Sequence, residues 1–174
     1  MSSRFNENTR VQVPAALHLC RLGYTYLDNI DVSDYDQSTN ILVKILREAL
    51  SRLNPEISDG EISQHITEVI QVAKNDDLGR EFYQKISQAS GIRFIDFETP
   101  DNNSWHCTTE FTCENPDTHD TFRPDITCFV NGLPLAFIEV KKPNNHEGIL
   151  AERERINTRF RNKAFRSSYI RSCW

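Results

Sequence analysis

Apolar residues recur at every third or fourth position through the first half of the chain, and this spacing predicts amphipathic helices. The clearest stretch is 37–53, and the Asn54-Pro55 pair that follows it is expected to end the helix. Another is 7–22, which ends at Gly23. A capping-box pattern, Ser58 with Glu61 three positions later, predicts the start of a third helix. A fourth helix is expected over 77–89.

In the second half the period shortens, and β-branched and aromatic residues predict strands over 92–97, 104–113, 122–130 and 134–141. A charged helix is predicted over 145–166. Helices, then strands, then a helix indicate an α/β (α+β) fold with one central mixed sheet flanked by helices and an N-terminal helical portion. We expect a single domain over 1–174, mainly helical over 5–90, with the sheet and candidate catalytic core over 91–165 and an atypical tail over 167–174.

Asn131-Gly132 stands between two apolar strands and predicts a hairpin. On the second strand, alternation puts Glu139 and Lys141 on one face. Because both faces of this strand are otherwise apolar, we expect a buried central strand that ends in two charges. Charged groups are rarely placed there without a use.

Asp125 precedes Glu139 by 14 positions, so the geometry of the turn decides whether the two carboxylates share a face. A plain two-residue turn would put Asp125 on the opposite face. An odd loop or one bulge would bring the carboxylates together. A three-residue loop, 130–132, satisfies both the turn rules and the chemistry, and would place Asp125 diagonal to Glu139.

Two carboxylates and a lysine at such a strand end suit phosphodiester cleavage. Carboxylate oxygens bind Mg²⁺, which activates water and offsets negative charge on phosphate oxygens. A lysine can orient the attacking water or stabilise the transition state. The alternative is a salt bridge of Glu139 with Lys141 or Arg123 at the edge of the core.

The distribution of charge changes this picture in one respect. The net charge is −5, but residues 141–174 hold 9 basic and 3 acidic residues, a net of 9 − 3 = +6. A basic segment beside a carboxylate site suits a surface that faces phosphates, although a solvated helix would look the same. The five cysteines form no Cys-x-x-Cys pair and are expected to be free thiols. With no apolar segment of membrane-spanning length, we expect a cytoplasmic protein that does not enter a membrane.

The segments Arg123-Pro-Asp125, 130–135 and 138–142 closely resemble the PD-(D/E)xK nuclease core at the N-terminus of the restriction (R) subunit of type I restriction–modification enzymes. Glu7 and the Leu22-Gly-Tyr24 segment are similar to the opening helix of that family. The resemblance covers about residues 5–165 and implies a restriction-endonuclease-like core.

What the resemblance implies is a type I site-specific deoxyribonuclease that cuts double-stranded DNA with Mg²⁺, or with Mn²⁺ in its place. Asp125, Glu139 and the carbonyl of Val140 would bind the metal, Lys141 would serve the attacking water, and Glu7 would complete the site. The family also implies partner modification and specificity subunits. The segment that follows the lysine strand would contact DNA through basic residues, namely Lys142, Arg155, Arg159 and Arg161.

Two departures from the family qualify this expectation. The helix after the lysine strand lacks the Gln-x-x-x-Tyr motif, and the chain has no phosphate-binding loop. ATP is therefore expected only in the full-length enzyme, where a translocase domain absent from this chain would follow, and this fragment alone should be weakly active or inactive. The alternatives are a stand-alone PD-(D/E)xK repair or junction nuclease, and a truncated non-catalytic domain that binds DNA or partner subunits.

Overall fold

We describe the protein from a computed structural model, which describes residues 11–75, 77, 79–88, 91–114 and 121–141, together with 150, 151, 153–155, 157 and 158. The fold is mixed α/β, as predicted, with helices packed around a mixed sheet. Within these residues, none of the helices combines the length and the apolar character needed to cross a membrane.

All four predicted N-terminal helices are present: α1 Val13–Arg21, α2 Val43–Leu53, α3 Asp59–Ala73 and α4 Arg80–Ser87. Helices α2 and α4 begin later than predicted, α3 begins directly after Ser58 as predicted, and residues 7–10 of the first predicted helix lie outside the described ranges. The capping box of α3 is confirmed, since the Ser58 hydroxyl accepts from the main chain of Glu61 and the Glu61 carboxylate accepts from the main chain of Ser58. The start of α2 was predicted too early, because residues 37–40 form a turn before it. The described residues between 150 and 158 are helical, in agreement with the predicted C-terminal helix, whose other residues lie outside the described ranges.

The described residues contain six strands: β1 Thr25–Tyr26, β2 Trp105–Thr109, β3 Cys113–Glu114, β4 Thr121–Phe122, β5 Ile126–Val130 and β6 Leu133–Ile138. Four of them form a sheet in the order β1-β2-β5-β6, and β3 pairs with β4 separately. Strand β1 runs parallel to β2, whereas β2, β5 and β6 are antiparallel neighbours. The prediction that the lysine strand is central was wrong, because β6 lies at the edge of the described sheet and the fully buried strand is β5.

The predicted strand over 92–97 is also wrong, since this segment is a buried irregular loop. Its apolar residues Ile92, Phe94 and Ile95 enter the core, which explains the strand-like pattern. Its main chain is satisfied by side chains instead of by a neighbouring strand. Asn54 accepts from the Arg93 N–H at 2.7 Å and Asn103 accepts from the Asp96 N–H at 2.9 Å.

The two faces of the sheet pack against different elements. Helix α1 packs Ala16 and Leu19 against the face that carries Ile126, Cys128 and Ile138. The other face, which carries Phe129 and Phe137, packs against residues from the 27–45 region and from the β3–β4 hairpin. Helices α2, α3 and α4 form a third cluster that buries the hairpin end of β5 and β6. The ends of these two strands away from the hairpin lie outside that helical cluster.

Candidate functional site

A β-bulge places Asp125 and Glu139 on the same face of the sheet. The turn is the plain two-residue Asn131-Gly132, with φ of 52° and 83°, so the predicted three-residue loop is wrong. The register pairs Cys128 with Ala136 but Phe129 with Pro134, which leaves one extra residue, Leu135, on β6. That single insertion restores the parity that a two-residue turn would have broken.

Extending the register by one residue places the two carboxylates opposite each other. Ile126 pairs with Ile138, so the next residues outward are Asp125 and Glu139. Directly opposed residues project to one face, with Cβ atoms about 4.5–5.5 Å apart. This extension of the register indicates a direct arrangement instead of the predicted diagonal one, on the face that also carries Phe137.

Asp125 is fixed by hydrogen bonds at both its carboxylate and its main chain. The carboxylate oxygen Oδ2 accepts from the Val140 N–H at 2.8 Å, across the ends of the two strands. The Asp125 carbonyl accepts from the Glu110 N–H at 3.1 Å and from Gln12 Nε2 at 2.7 Å. Because a carboxylate has about four acceptor positions, the bond from Val140 leaves it able to bind a cation.

Glu139 and Lys141 lie together at the same strand end. Lys141 Nζ is 3.9 Å from Glu139 Oε2, and these side chains are 22% and 11% exposed respectively. The distance is that of an ion pair and exceeds a normal hydrogen bond. Partial removal from water strengthens the charge interaction between these two side chains.

The donor set fits a hard divalent cation. Asp125 and Glu139 supply carboxylate oxygens and Val140 a main-chain carbonyl, and Mg²⁺ is usually held by one or two carboxylates while it keeps several waters. Among the described residues, no group of three or more His, Cys, Asp and Glu side chains is arranged to hold a metal ion. Any metal bound here would therefore depend on water, on substrate or on groups beyond the described ranges.

Aromatic and charged groups border the site. Phe137, one step inside Glu139 on the same face, makes an edge-to-face contact with Phe122 at 5.5 Å. Arg123, two residues before Asp125, lies against Glu110 with NH1 3.6 Å from Oε2. The sequence left open a salt bridge between Arg123 and Glu139. In the structure Arg123 lies beside Glu110.

The predicted site residues divide into two groups. The structure brings together Asp125, Glu139, Val140 and Lys141 at one strand end. Arg155 is helical and exposed. The remaining predicted residues lie outside the described ranges, namely Glu7, Lys142, Arg159 and Arg161. The functional roles of both groups stay predictions.

Sequence reasoning missed Gln12 and Glu110, the two residues that hold the main chain of Asp125. Glu110 has a positive φ of 54° and ends β2, so the predicted strand over 104–113 stops there. Gln12 interrupts the apolar face of the first helix, but a polar residue near a helix end gives no indication of a partner 113 residues away. The indication for the bulge was Pro134, since proline in a strand favours an edge or a bulge.

Comparisons with known proteins point in one direction. The family described as "Type I restriction enzyme R protein N terminus" matches residues 4–170, which reaches beyond residue 165 into the 167–174 segment. The chain is 24% identical over 168 residues to the putative type I restriction enzyme MjaIXP endonuclease subunit of Methanocaldococcus jannaschii, a match that covers 84% of this chain and 16% of that protein.

A second relative is the type I restriction enzyme HindI endonuclease subunit of Haemophilus influenzae, 28% identical over 127 residues, with 62% of this chain and 12% of that protein covered. The chain thus spans less than a fifth of the length of these curated relatives. No solved structure gives a significant match. The family resemblance expected from the hairpin residues is confirmed by these matches.

Proposed function

This chain belongs to the family of type I restriction enzyme R protein N-terminal domains, and from that premise we propose that it is a metal-dependent nuclease domain that cleaves phosphodiester bonds of double-stranded DNA. The observation that carries the proposal is the convergence of Asp125, Glu139 and Lys141 where β5 and β6 end. Charged side chains at the end of a largely buried hairpin lose favourable contacts with water, which destabilises the fold. Packing of the core therefore does not explain this arrangement.

The proposed cofactor is Mg²⁺, with Mn²⁺ able to replace it, held by Asp125, Glu139 and the Val140 carbonyl. When bound, a divalent ion would lower the pKa of a coordinated water and offset the charge that develops on the phosphate oxygens. The hydrogen bond from the Val140 N–H fixes the Asp125 carboxylate before any ligand arrives. The two protein carboxylates therefore need little reorganisation to act together.

In this proposal Lys141 orients the attacking water or stabilises the pentavalent phosphorus. Its ammonium lies beside the Glu139 carboxylate, which restrains a long flexible side chain at the strand end. A compact cation with three donors suits either role.

Binding of DNA would use the basic segment that follows β6. Residues 141–174 carry a net charge of 9 − 3 = +6, and neutralisation of phosphates by Lys and Arg supplies affinity that does not depend on base sequence. We assign phosphate contacts to Lys142, Arg155, Arg159 and Arg161. Recognition of the DNA site would be left to specificity and modification subunits, and ATP would be used only by further domains of a full-length enzyme in the cytoplasm.

The test is cleavage of double-stranded DNA by the assembled enzyme that contains this domain and its partner subunits. Asp125→Asn, Glu139→Gln and Lys141→Met should each reduce Mg²⁺-dependent cleavage at least about a hundredfold, because a metal or charge-stabilising group contributes several kcal/mol. Asp101→Asn, an exposed carboxylate in the short helix Pro100–Asn102, is the matched control and should cleave normally. Undiminished cleavage by the Asp125 and Glu139 variants would reject the proposal.

A further inference from the structure

Gln12 is a buried polar residue directly before α1 whose side chain reaches the candidate site. It is 3% exposed, and its Nε2 donates to the main-chain carbonyl of Asp125 at 2.7 Å. Its own backbone is helical, with φ −65° and ψ −51°. The bond therefore joins the beginning of a helix on one face of the sheet to the first residue before β5.

This hydrogen bond is additional to what the strand itself provides. The same Asp125 carbonyl already accepts from the Glu110 N–H at 3.1 Å, which continues the pairing of β2 with β5. A carbonyl that has one good partner is satisfied, although it has a second lone pair. Immobilising a glutamine side chain also costs rotamer entropy. Satisfying the backbone is therefore not a sufficient reason for Gln12 to be there.

The consequence of the extra bond is a fixed position for Asp125. Its carbonyl is held by Gln12, which directly precedes α1, and by Glu110, which directly follows β2, and its carboxylate is held by the N–H of Val140, two residues after β6. These three donors come from three different parts of the chain. Removing Gln12 would leave the Asp125 carbonyl with Glu110 as its partner, just beyond the end of β5, and strand ends are more easily opened than strand centres.

We propose that Gln12 is a positioning residue that holds Asp125 in the geometry required for binding a divalent cation. This inference rests on the proposed function of Asp125 as a metal ligand. Residues that orient a metal ligand without binding the metal commonly raise the metal affinity about 10- to 100-fold. Gln12 itself touches neither metal nor substrate in this account.

The first test is metal-independent and uses Gln12→Met, which keeps the length of the side chain and removes the donor. We expect amide hydrogen exchange at Glu110 and Val140, the two main-chain donors to Asp125, to become about two- to tenfold faster, as for the loss of one net hydrogen bond. Exchange in α3 should not change. Gln71→Met, an exposed glutamine on α3, is the matched control. Unchanged exchange at both amides would overturn the inference.

The second test is calorimetric titration of the chain with Mn²⁺ for the unsubstituted protein, Gln12→Met and Asp125→Asn. We expect Gln12→Met to raise the dissociation constant about tenfold, with Asp125→Asn weaker still. Faster exchange together with an unchanged dissociation constant would show that Gln12 is only structural. If the unsubstituted chain and Asp125→Asn bind Mn²⁺ equally, the proposed metal site itself fails, an outcome distinct from a failure confined to Gln12.

Discussion

Gly132 in the β5–β6 turn allows the hairpin to lie directly against the start of α2, so we expect Gly132→Ala to destabilise the protein strongly. A Cβ at this position would lie 2.6 Å from the Leu42 carbonyl oxygen and 2.9 Å from the Leu46 nitrogen, both main-chain atoms. These two atoms form the first hydrogen bond of α2, at 2.9 Å. The Leu42 N–H also donates to the Gly132 carbonyl at 2.9 Å.

The magnitude follows from two costs. A residue other than glycine at φ of +83° costs about 1 kcal/mol. Overpacking against main chain that cannot rotate away costs a further 1–3 kcal/mol, roughly. The total is about 2–4 kcal/mol, and with a urea m-value of about 2 kcal/mol/M the unfolding midpoint should fall by about 1–2 M.

Two other glycines separate these costs. Gly23 has φ of +102° but open space around a built Cβ, so Gly23→Ala should cost only about 1 kcal/mol. Gly60 lies in α3 with open space and no positive φ, so Gly60→Ala should be neutral or stabilising by up to about 1 kcal/mol. If urea unfolding shows that Gly132→Ala is no worse than Gly23→Ala, the close approach of the turn to α2 is not what requires glycine.

Three further predictions concern titration, thiol reactivity and the turn. A hydrogen bond from Lys85 lowers the pKa of Glu68 from 4.5 to about 2, so its contribution to stability is present above pH 4.5 and lost as the pH falls towards 2; in Lys85→Met, NMR titration should show this pKa returning towards 4.5. Burial raises the pKa of Cys107 to about 12, so alkylation at pH 8 followed by mass spectrometry should modify the more accessible Cys20 first, and equal rates would contradict the buried placement. Asn131→Asp puts a carboxylate in the fully buried turn, next to a main-chain carbonyl, and should cost more than about 3 kcal/mol at neutral pH in chemical denaturation, with partial recovery on acidification.

The helices were predicted well because capping and apolar spacing depend on residues that are close in sequence. The capping box at Ser58 and Glu61 depends only on neighbouring residues, and the apolar stripe of α2 depends on a helical period. The hairpin was also predictable from Asn131-Gly132, a residue pair that favours positive φ at both turn positions, although a three-residue loop was expected in place of the two-residue turn. These features require no knowledge of the tertiary structure.

Features decided by tertiary contacts were predicted less well. The 92–97 segment has strand-like composition, but side chains satisfy its main chain: Asn103 from the loop that follows, and Asn54, which lies 39 residues from Arg93 in sequence. The two-residue β1 was missed because so short a strand shows no alternation of apolar and polar residues, and its pairing partners in β2 lie 81 positions further along the chain, since Thr25 pairs with His106.

The predicted site required a register that lets Asp125 and Glu139 share a face, but the wrong feature was expected to produce that register. The requirement that Asp125 and Glu139 share a face allowed either an odd loop or a bulge. The loop was preferred because a three-residue loop also satisfied the rules for hairpin turns. The structure uses a bulge at Leu135, beside Pro134, which cannot donate to a neighbouring strand. The chemistry expected of the two carboxylates could therefore limit the possible strand registers. Whether the chain reaches the right register by a loop or by a bulge depended on tertiary packing.

The central claim is that Asp125 and Glu139 together hold one divalent ion beside Lys141. The most direct measurement is anomalous X-ray scattering from crystals of the chain grown with Mn²⁺. We predict one peak that lies within about 2.0–2.3 Å of a carboxylate oxygen of both residues, a distance typical of oxygen ligands to small divalent ions. A map in which Mn²⁺ binds elsewhere, or in which the Asp125 carboxylate points to the α1 side of the sheet, would contradict the account.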